Sequence, residues 1–434
     1  MQQIQILDLL RDRPLFRRLW MSEVVSLLGD WMSFVAVSLL ALRGGGGVVG
    51  LALVLVGHSL PHALLAPIAG TLADRLDRKR LMIGANLAEA ALTVGMTIAA
   101  ARGNVTAVQL LVFARASVAA FLPPVHSAVL RRVVRENELL AANAVSSLTW
   151  SVMFAVGMAA GGLIAALGPT IALAIDASSF VVAALLLRAL PSIRAEGRSE
   201  TTAKAGILTA LGSVRRDMAA AVRYAWSRSA MLEAVLAKMP LAIAGGGAWV
   251  LLNLASTEIA LAGSGAITLG ILQCVRGTGT GVGPLFSAAL IRRGSSMALA
   301  FALSALTCFG GIALLALGYR FGIAAALLAV LAWGAGVGSN WVLSSAEIQR
   351  RSPDRYLGRL SAIDGLLHTA SMCGAALAGA VLVERTGAPA AAAWLGLAVS
   401  IPLWAVLQWA LRRHASRTSV PPESEAPALA PENR

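Results

Sequence analysis

Ionisable residues inside long apolar stretches of this 434-residue chain include Glu23, Asp30, Glu89, Arg115, Asp176, Lys238 and Arg276. A charge at the centre of a bilayer costs roughly 2.5 to 3.5 kcal/mol on insertion scales and persists only where it is paired or useful. Acids and bases held at one depth can exchange a proton, meet a polar substrate or tie helices together. Asp30 and Arg115 each fall about midway along their stretch, which predicts that they face each other. The proton affinity of such a carboxylate is a contest between desolvation and the nearby guanidinium, and that contest is how a proton site is tuned. The alternative is a structural ion pair. Glu89 and Asp176 read as hydrogen bonders between helices. Lys238 lies close enough to one end of its stretch to snorkel. Asp30, Arg115, Glu23, Lys238 and Arg276 together are the expected coupling and substrate group.

His58 and His62, four residues apart, have the spacing to share a metal or relay protons. With no third ligand beside them, packing on an apolar face is the reading, and neither a metal nor any other cofactor is expected. Trp31, Trp150, Trp249, Trp333, Trp341 and Phe34 offer the aromatic surface that a polyspecific cavity uses, or else belong to an interfacial belt. Cys274, Cys308 and Cys373 each sit in an apolar block, which excludes a disulfide framework. There is no G-x-x-x-x-G-K-S/T phosphate loop, no H-E-x-x-H pair and no Ser, His and Asp set outside the apolar blocks, so ATP drive and enzymatic hydrolysis are not expected.

The elements that must position these residues follow from composition. The chain is 57% apolar and only 13% charged, about half the usual share of charge. The excess comes in blocks of about twenty residues, the length of helix that crosses about 30 Å of hydrocarbon. Twelve spans are predicted, at 18–42, 48–70, 81–101, 105–127, 145–167, 169–190, 231–255, 266–290, 296–318, 321–345, 360–383 and 391–411. With a cytoplasmic N-terminus, 29 of the 36 Lys and Arg fall in cytoplasmic segments, while only Arg43, Arg102, Arg320 and Arg385 fall outside. This obeys the positive-inside rule, so the net charge of +14 marks topology rather than a nucleic-acid partner. Residues 1–17 are mixed polar before a full-length span, so no cleaved leader is expected, and Ile4, Leu7 and Leu10 suggest a short interfacial helix. The expected organisation is a six-helix half over 1–190, a cytoplasmic linker with an amphipathic helix over 191–230, a second six-helix half over 231–411 and a disordered tail over 412–434. Shifting the sequence by 218 residues sets Ser127-Ala128-Val129-Leu130-Arg131-Arg132 upon Ser345-Ala346-Glu347-Ile348-Gln349-Arg350, which points to an internal repeat.

One segment is more specific. Gly70-Thr71-Leu72-Ala73-Asp74-Arg75-Leu76-Asp77-Arg78-Lys79-Arg80 resembles the signature between helices 2 and 3 of the major facilitator superfamily, with Asp77 where that pattern has its second Gly. Phe16-Arg17-Arg18-Leu19-Trp20, Ser26-Leu27-Leu28-Gly29-Asp30, Pro123-Pro124, Glu138 to Asn143, Asp176 to Phe180, and Gln349 with Pro353-Asp354-Arg355-Tyr356-Leu357-Gly358-Arg359 are similar to the branch holding enterobactin exporters and macrolide efflux proteins. The resemblance implies an all-helical fold of twelve spans in two six-helix repeats, with helices 1, 4, 7 and 10 around a central cavity. It implies that Gly70, Asp74, Arg75, Arg78, Lys79, Arg80, Arg355, Gly358 and Arg359 form a cytoplasmic gate, Asp74 latching near Ser361. The fifth span keeps Gly157, Gly161 and Gly162 but has Met158 where export members carry Pro. The expected function is proton-coupled export of a small amphipathic molecule by alternating access, from a cytoplasmic (inner) membrane, by a monomer whose partners are substrate, protons and lipid. An importer or lipid flippase on the same fold, or a non-transporting scaffold or sensor, is the alternative.

Overall fold

The computed structural model describes residues 6–73, 77–192 and 207–418. Among them the chain is helical throughout, as it must be where no water is present to satisfy backbone groups. In the first half, α1 (Ile6–Asp12) leads into α2 (Pro14–Arg43), α3 (Gly47–Ala73), α4 (Arg78–Ala101), α5 (Val105–Ala119), α6 (Leu122–Val133), α7 (Leu139–Leu167) and α8 (Pro169–Leu187). In the second, α9 (Ile207–Trp226) precedes α10 (Ser229–Leu236), α11 (Lys238–Ile259), α12 (Gly265–Arg292), α13 (Met297–Gly318), α14 (Ile323–Arg351), α15 (Asp354–Thr386) and α16 (Ala390–Thr418).

Local chemistry sets the boundaries. Pro14 and Pro169 open α2 and α8, where a missing N–H costs nothing. Asn104, Ser264 and Ser296 cap α5, α12 and α13 by accepting backbone N–H groups three residues on. The first hairpin turns at Gly45 and Gly47, with φ of +86° and +59°, values that only glycine adopts freely. Asp77, the departure from the signature, caps α4: its carboxylate accepts the N–H of Arg80 at 3.0 Å and the hydroxyl of Ser192. Burial pushes that carboxyl up, but the Ser192 hydroxyl and the N–H groups of Arg80 and Lys79 more than offset this and hold it below the usual carboxylate range.

Among the described residues, eleven segments are long and apolar enough to cross a membrane. α12, diluted by glycines, threonines and Arg276, packs against α7 and α14 and makes the twelfth. Two expected spans are broken: the fourth is α5 and α6, parted at Ala120–Phe121 ahead of Pro123, and the seventh is α10 and α11, parted at Ala237. α14 and α15 run past the predicted 321–345 and 360–383 because amphipathic turns prolong them beyond the apolar blocks. α1 is more than an interfacial helix, since Leu9 is buried with Phe16, Leu19 and Val129. Nearby, the Arg13 guanidinium donates twice to Glu138 at 2.9 and 3.0 Å. The predicted disordered tail is helical through Thr418, and 419–434 lie outside the described residues.

The halves keep one register. Gly47 and Gly265 open α3 and α12; Val105 and Ile323 open the fourth and tenth spans, which close at Val133 and Arg351. Each pair is separated by the same 218 residues seen in the sequence. At the end bearing the Gly44–Gly47 hairpin, a single apolar core runs through both halves, from Phe34 and Leu51 to Trp249, Ile312 and Ala380. At the opposite, Arg-rich end the core divides into one cluster in the first half and two in the second, the larger of which includes α9.

Candidate substrate and proton site

Arg115, buried on α5, holds two carboxylates. Its Nη2 lies 2.7 Å from Asp30 Oδ1 on α2, and its Nη1 donates to Asp176 Oδ2 on α8 at 2.7 Å and to Ser33 Oγ at 3.4 Å. The guanidinium also stands 5.7 Å from the Phe180 ring centroid. Gly29 makes this convergence possible, because a Cβ there would lie 2.6 Å from Asp176 Oδ1 and collide with Ser179. The two acids differ in access: the Asp30 side chain is 25% exposed and that of Asp176 0%. Asp30 also marks a change along its helix. From Glu23 to Leu28 α2 is part-exposed, and from Met32 to Leu39 it is buried. Glu89 on α4 is buried within electrostatic range of the trio, its Oε2 without a hydrogen-bond partner.

Beside this charged centre is an aromatic wall. Trp31, one residue after Asp30, meets Phe154 edge-on at 4.7 Å, Trp150 at 5.8 Å and His58 at 5.7 Å. Trp150 and Phe154 stack at 5.6 Å, and Phe34 reaches Trp249 across the halves at 6.1 Å. Arg276 on α12 lies between the Phe154 and Trp333 rings, 5.0 Å from each centroid, and its Nε donates to Gln273 Oε1 at 2.8 Å. His58 and His62 have ring centroids 6.3 Å apart, and no group of three metal-ligating side chains occurs among the described residues.

Lys238 does not snorkel. It is buried, pairs with Asp364 on α15, donates to Ser345 Oγ at 3.1 Å and lies 4.1 Å from the Trp341 ring. The sequence reading missed Asp364, although an acid within the span beginning at 360 was signal enough. Glu23 lies nearer the Arg-rich end, accepting from Ser146 Oγ at 3.2 Å with His126 Nε2 at 3.5 Å. Asp74 and Arg75 lie outside the described residues, as does the side chain of Arg355, while Gly70 lies in the last turns of α3. Arg78 is buried, Gly358 exposed and Arg359 intermediate.

The fifth-span glycines act as contact points. A Cβ on Gly157 would lie 2.7 Å from Trp31 Cβ, and one on Gly161 2.8 Å from Met32 Cα. One on Gly162 would lie 2.5 Å from Ala266 O and 2.9 Å from Gly270 Cα. Thus α7 touches α2 within its own half and α12 in the other, backbone against backbone.

Comparison with known proteins gives this architecture a context. Residues 10–432 match the family described as transmembrane secretion effector. An uncharacterised MFS-type transporter of Bacillus subtilis strain 168, YfiS, is 27% identical over 394 residues, covering 87% of this chain and 90% of that protein. Macrolide efflux protein A of Streptococcus pyogenes is 30% identical over 173 residues, 39% of this chain and 43% of that protein. Among solved structures, the nucleoside transporter NupG superposes with a TM-score of 0.70 at 14% identity, covering 92% of this chain and 99% of NupG. A bacterial homologue of the iron transporter ferroportin in an inward-facing state gives 0.67 at 14% identity, covering 90% and 98%. These two likenesses are of fold.

Proposed function

The chain belongs to the transmembrane secretion effector family, and we propose that it exports small amphipathic molecules in exchange for protons, by alternating access between its six-helix halves. Its family and fold are those of multi-pass membrane transporters rather than of enzymes. The observation that carries the reading is one guanidinium shared by two carboxylates of unequal exposure. Asp30 is the acid that water reaches, so it takes up and releases the proton. Asp176 stays on Arg115 in both protonation states and keeps the guanidinium in place. When Asp30 is protonated, one fork of Arg115 is freed for a polar substrate group, so proton and substrate compete for one state of the site. The aromatic wall from Trp31 to Phe154 would receive the apolar body.

Outward transport is supported by the macrolide efflux protein among the relatives. The excess of Lys and Arg in alternate segments supports a cytoplasmic membrane with both termini cytoplasmic. Asp74 would latch the cytoplasmic gate, and the protein would act as a monomer. The test is uptake of ethidium into everted vesicles under an imposed pH gradient. Wild type accumulates the dye in proportion to the gradient, and Asp30→Asn abolishes the gradient dependence while still binding dye. Gradient-driven accumulation at the wild-type rate by Asp30→Asn would overturn the assignment of the proton to Asp30.

A further inference from the structure

Of the described cations Arg115, Lys238 and Arg276, two are neutralised. Arg115 has Asp30 and Asp176, and Lys238 has Asp364. Arg276 differs: it has no carboxylate partner among the described residues, and its one hydrogen bond, from Nε to Gln273, leaves both terminal nitrogens unused. The rings of Phe154 and Trp333 attract a cation but do not neutralise it. Two further donors are idle in the same wall. Trp333 Nε1 and Trp31 Nε1 are buried with no hydrogen-bond partner, and Trp31 packs on the Phe154 that flanks Arg276. A buried donor without an acceptor is costly, and so is a cation without an anion at this depth. Arg276 and the two indole N–H groups thus present donors and a positive charge among aromatic faces.

We propose that Arg276, with the indole N–H groups of Trp333 and Trp31, is a subsite for the carboxylate of an amphipathic substrate whose flat apolar body lies against Phe154 and Trp150. The proposal rests on the reading of the chain as a transporter of amphipathic molecules and adds the sign of the substrate's charge. A carboxylate accepts two parallel bonds from one guanidinium fork, and the Nη1 and Nη2 hydrogens of Arg276 are unspent. The position also suits coupling to conformation. Phe154 is on α7 in the first half, while Arg276 and Trp333 are on α12 and α14 in the second. An anion held there draws on both halves, so its affinity differs between their two arrangements. In the repeat register, His58 of the first half answers to Arg276 and Arg115 to Trp333, so each half presents its cation where the other presents a ring. With Arg115 held by its two carboxylates, Arg276 is the member of this pair that stands open to a ligand.

The test is calorimetric titration of the full chain in nanodiscs at pH 7.5 with 1-naphthaleneacetate and its neutral amide. Wild type should bind the carboxylate saturably and at least tenfold more tightly than the amide. Arg276→Gln should lower carboxylate affinity to the level of the amide and leave the amide unchanged, while Arg276→Lys should fall between. Equal affinity of the two probes in wild type would overturn the proposal, as would unchanged carboxylate binding by folded Arg276→Gln. The wild-type comparison decides the matter even if the variants fail to fold. Gradient-driven ethidium export without carboxylate preference would sink the subsite and leave the export reading standing. Carboxylate preference with no gradient-driven flux of either ethidium or 1-naphthaleneacetate would support the subsite and sink the export reading.

Discussion

Replacing Arg115 with Met keeps most of the side-chain volume and strands two carboxylates. Asp176 has no access to water and would keep only the hydroxyls of Ser33 and Ser179, the latter 3.5 Å from Oδ1, whereas Asp30 is a quarter exposed and can be hydrated. Removing one partner of a buried pair costs about 3 to 5 kcal/mol, and each 1.4 kcal/mol is tenfold. Arg115→Met should therefore shift the unfolding equilibrium by roughly two to four orders of magnitude. The structure also predicts the order of rescue. Adding Asp176→Asn should recover most of the loss, and adding Asp30→Asn less of it, because the stranded charge that cannot reach water is the expensive one. Either Asn alone should be milder than Arg115→Met, since Arg115 keeps a carboxylate at 2.7 Å in both cases. Unfolding of the purified variants in one detergent, analysed as a double-mutant cycle, measures this directly. An Arg115→Met protein within about 0.5 kcal/mol of wild type, or equal rescue by the two Asn changes, would refute the reasoning.

Three further outcomes are expected. The Arg13 fork holds Glu138 below the usual carboxylate range, so its contribution to stability is full above that range and lost as pH falls through the lowered value; melting of wild type and Glu138→Gln should differ at pH 7 and converge in acid. Gly162→Leu and Gly270→Leu should force α7 and α12 apart and abolish transport or assembly, judged by flux and gel filtration, whereas Gly281→Ala, with nothing within 4 Å of an added Cβ, should leave both intact. Asp77→Ala should cost about 0.5 to 2 kcal/mol as a lost helix cap and Asp77→Gly only a few tenths, which thermal unfolding resolves.

The spans were legible because a bilayer leaves no solvent for an unpaired backbone, so length and apolarity suffice to find them. Asp30 and Arg115 were legible as facing groups because each is the one charge near the middle of its block. Their third partner was not. Asp176 was read as a bond between helices, which it is, but its partner was not identified as Arg115, because only the absence of a Cβ at Gly29 brings α8 close enough to deliver it. Lys238 was misread because distance from the block's end suggested snorkelling, and nothing along its own helix reveals Asp364, 126 positions away. The break ahead of Pro123 was signalled by the proline pair, yet hydropathy averages across it. The Glu23–His126 contact joins two helices whose relative rotation no single stretch of sequence records.

The shared register has an evolutionary consequence. An α-helix turns 100° per residue, so one insertion or deletion inside a span would swing every later side chain of that helix away from its neighbour. Arg115 would leave Asp30, and Gly162 would leave Gly270. The unchanged spacing from the Gly47 and Gly265 openings to the Val133 and Arg351 closings shows that, since the halves diverged, neither has kept a net length change across those three spans and their turns. Substitution has meanwhile been free to put His58 in one copy and Arg276 in the other. α9 and α1 are also held by packing, through Ala221, Ala225 and Leu9, so the places to graft a tag or a foreign domain are outside the described helices, at 193–206 and 419–434.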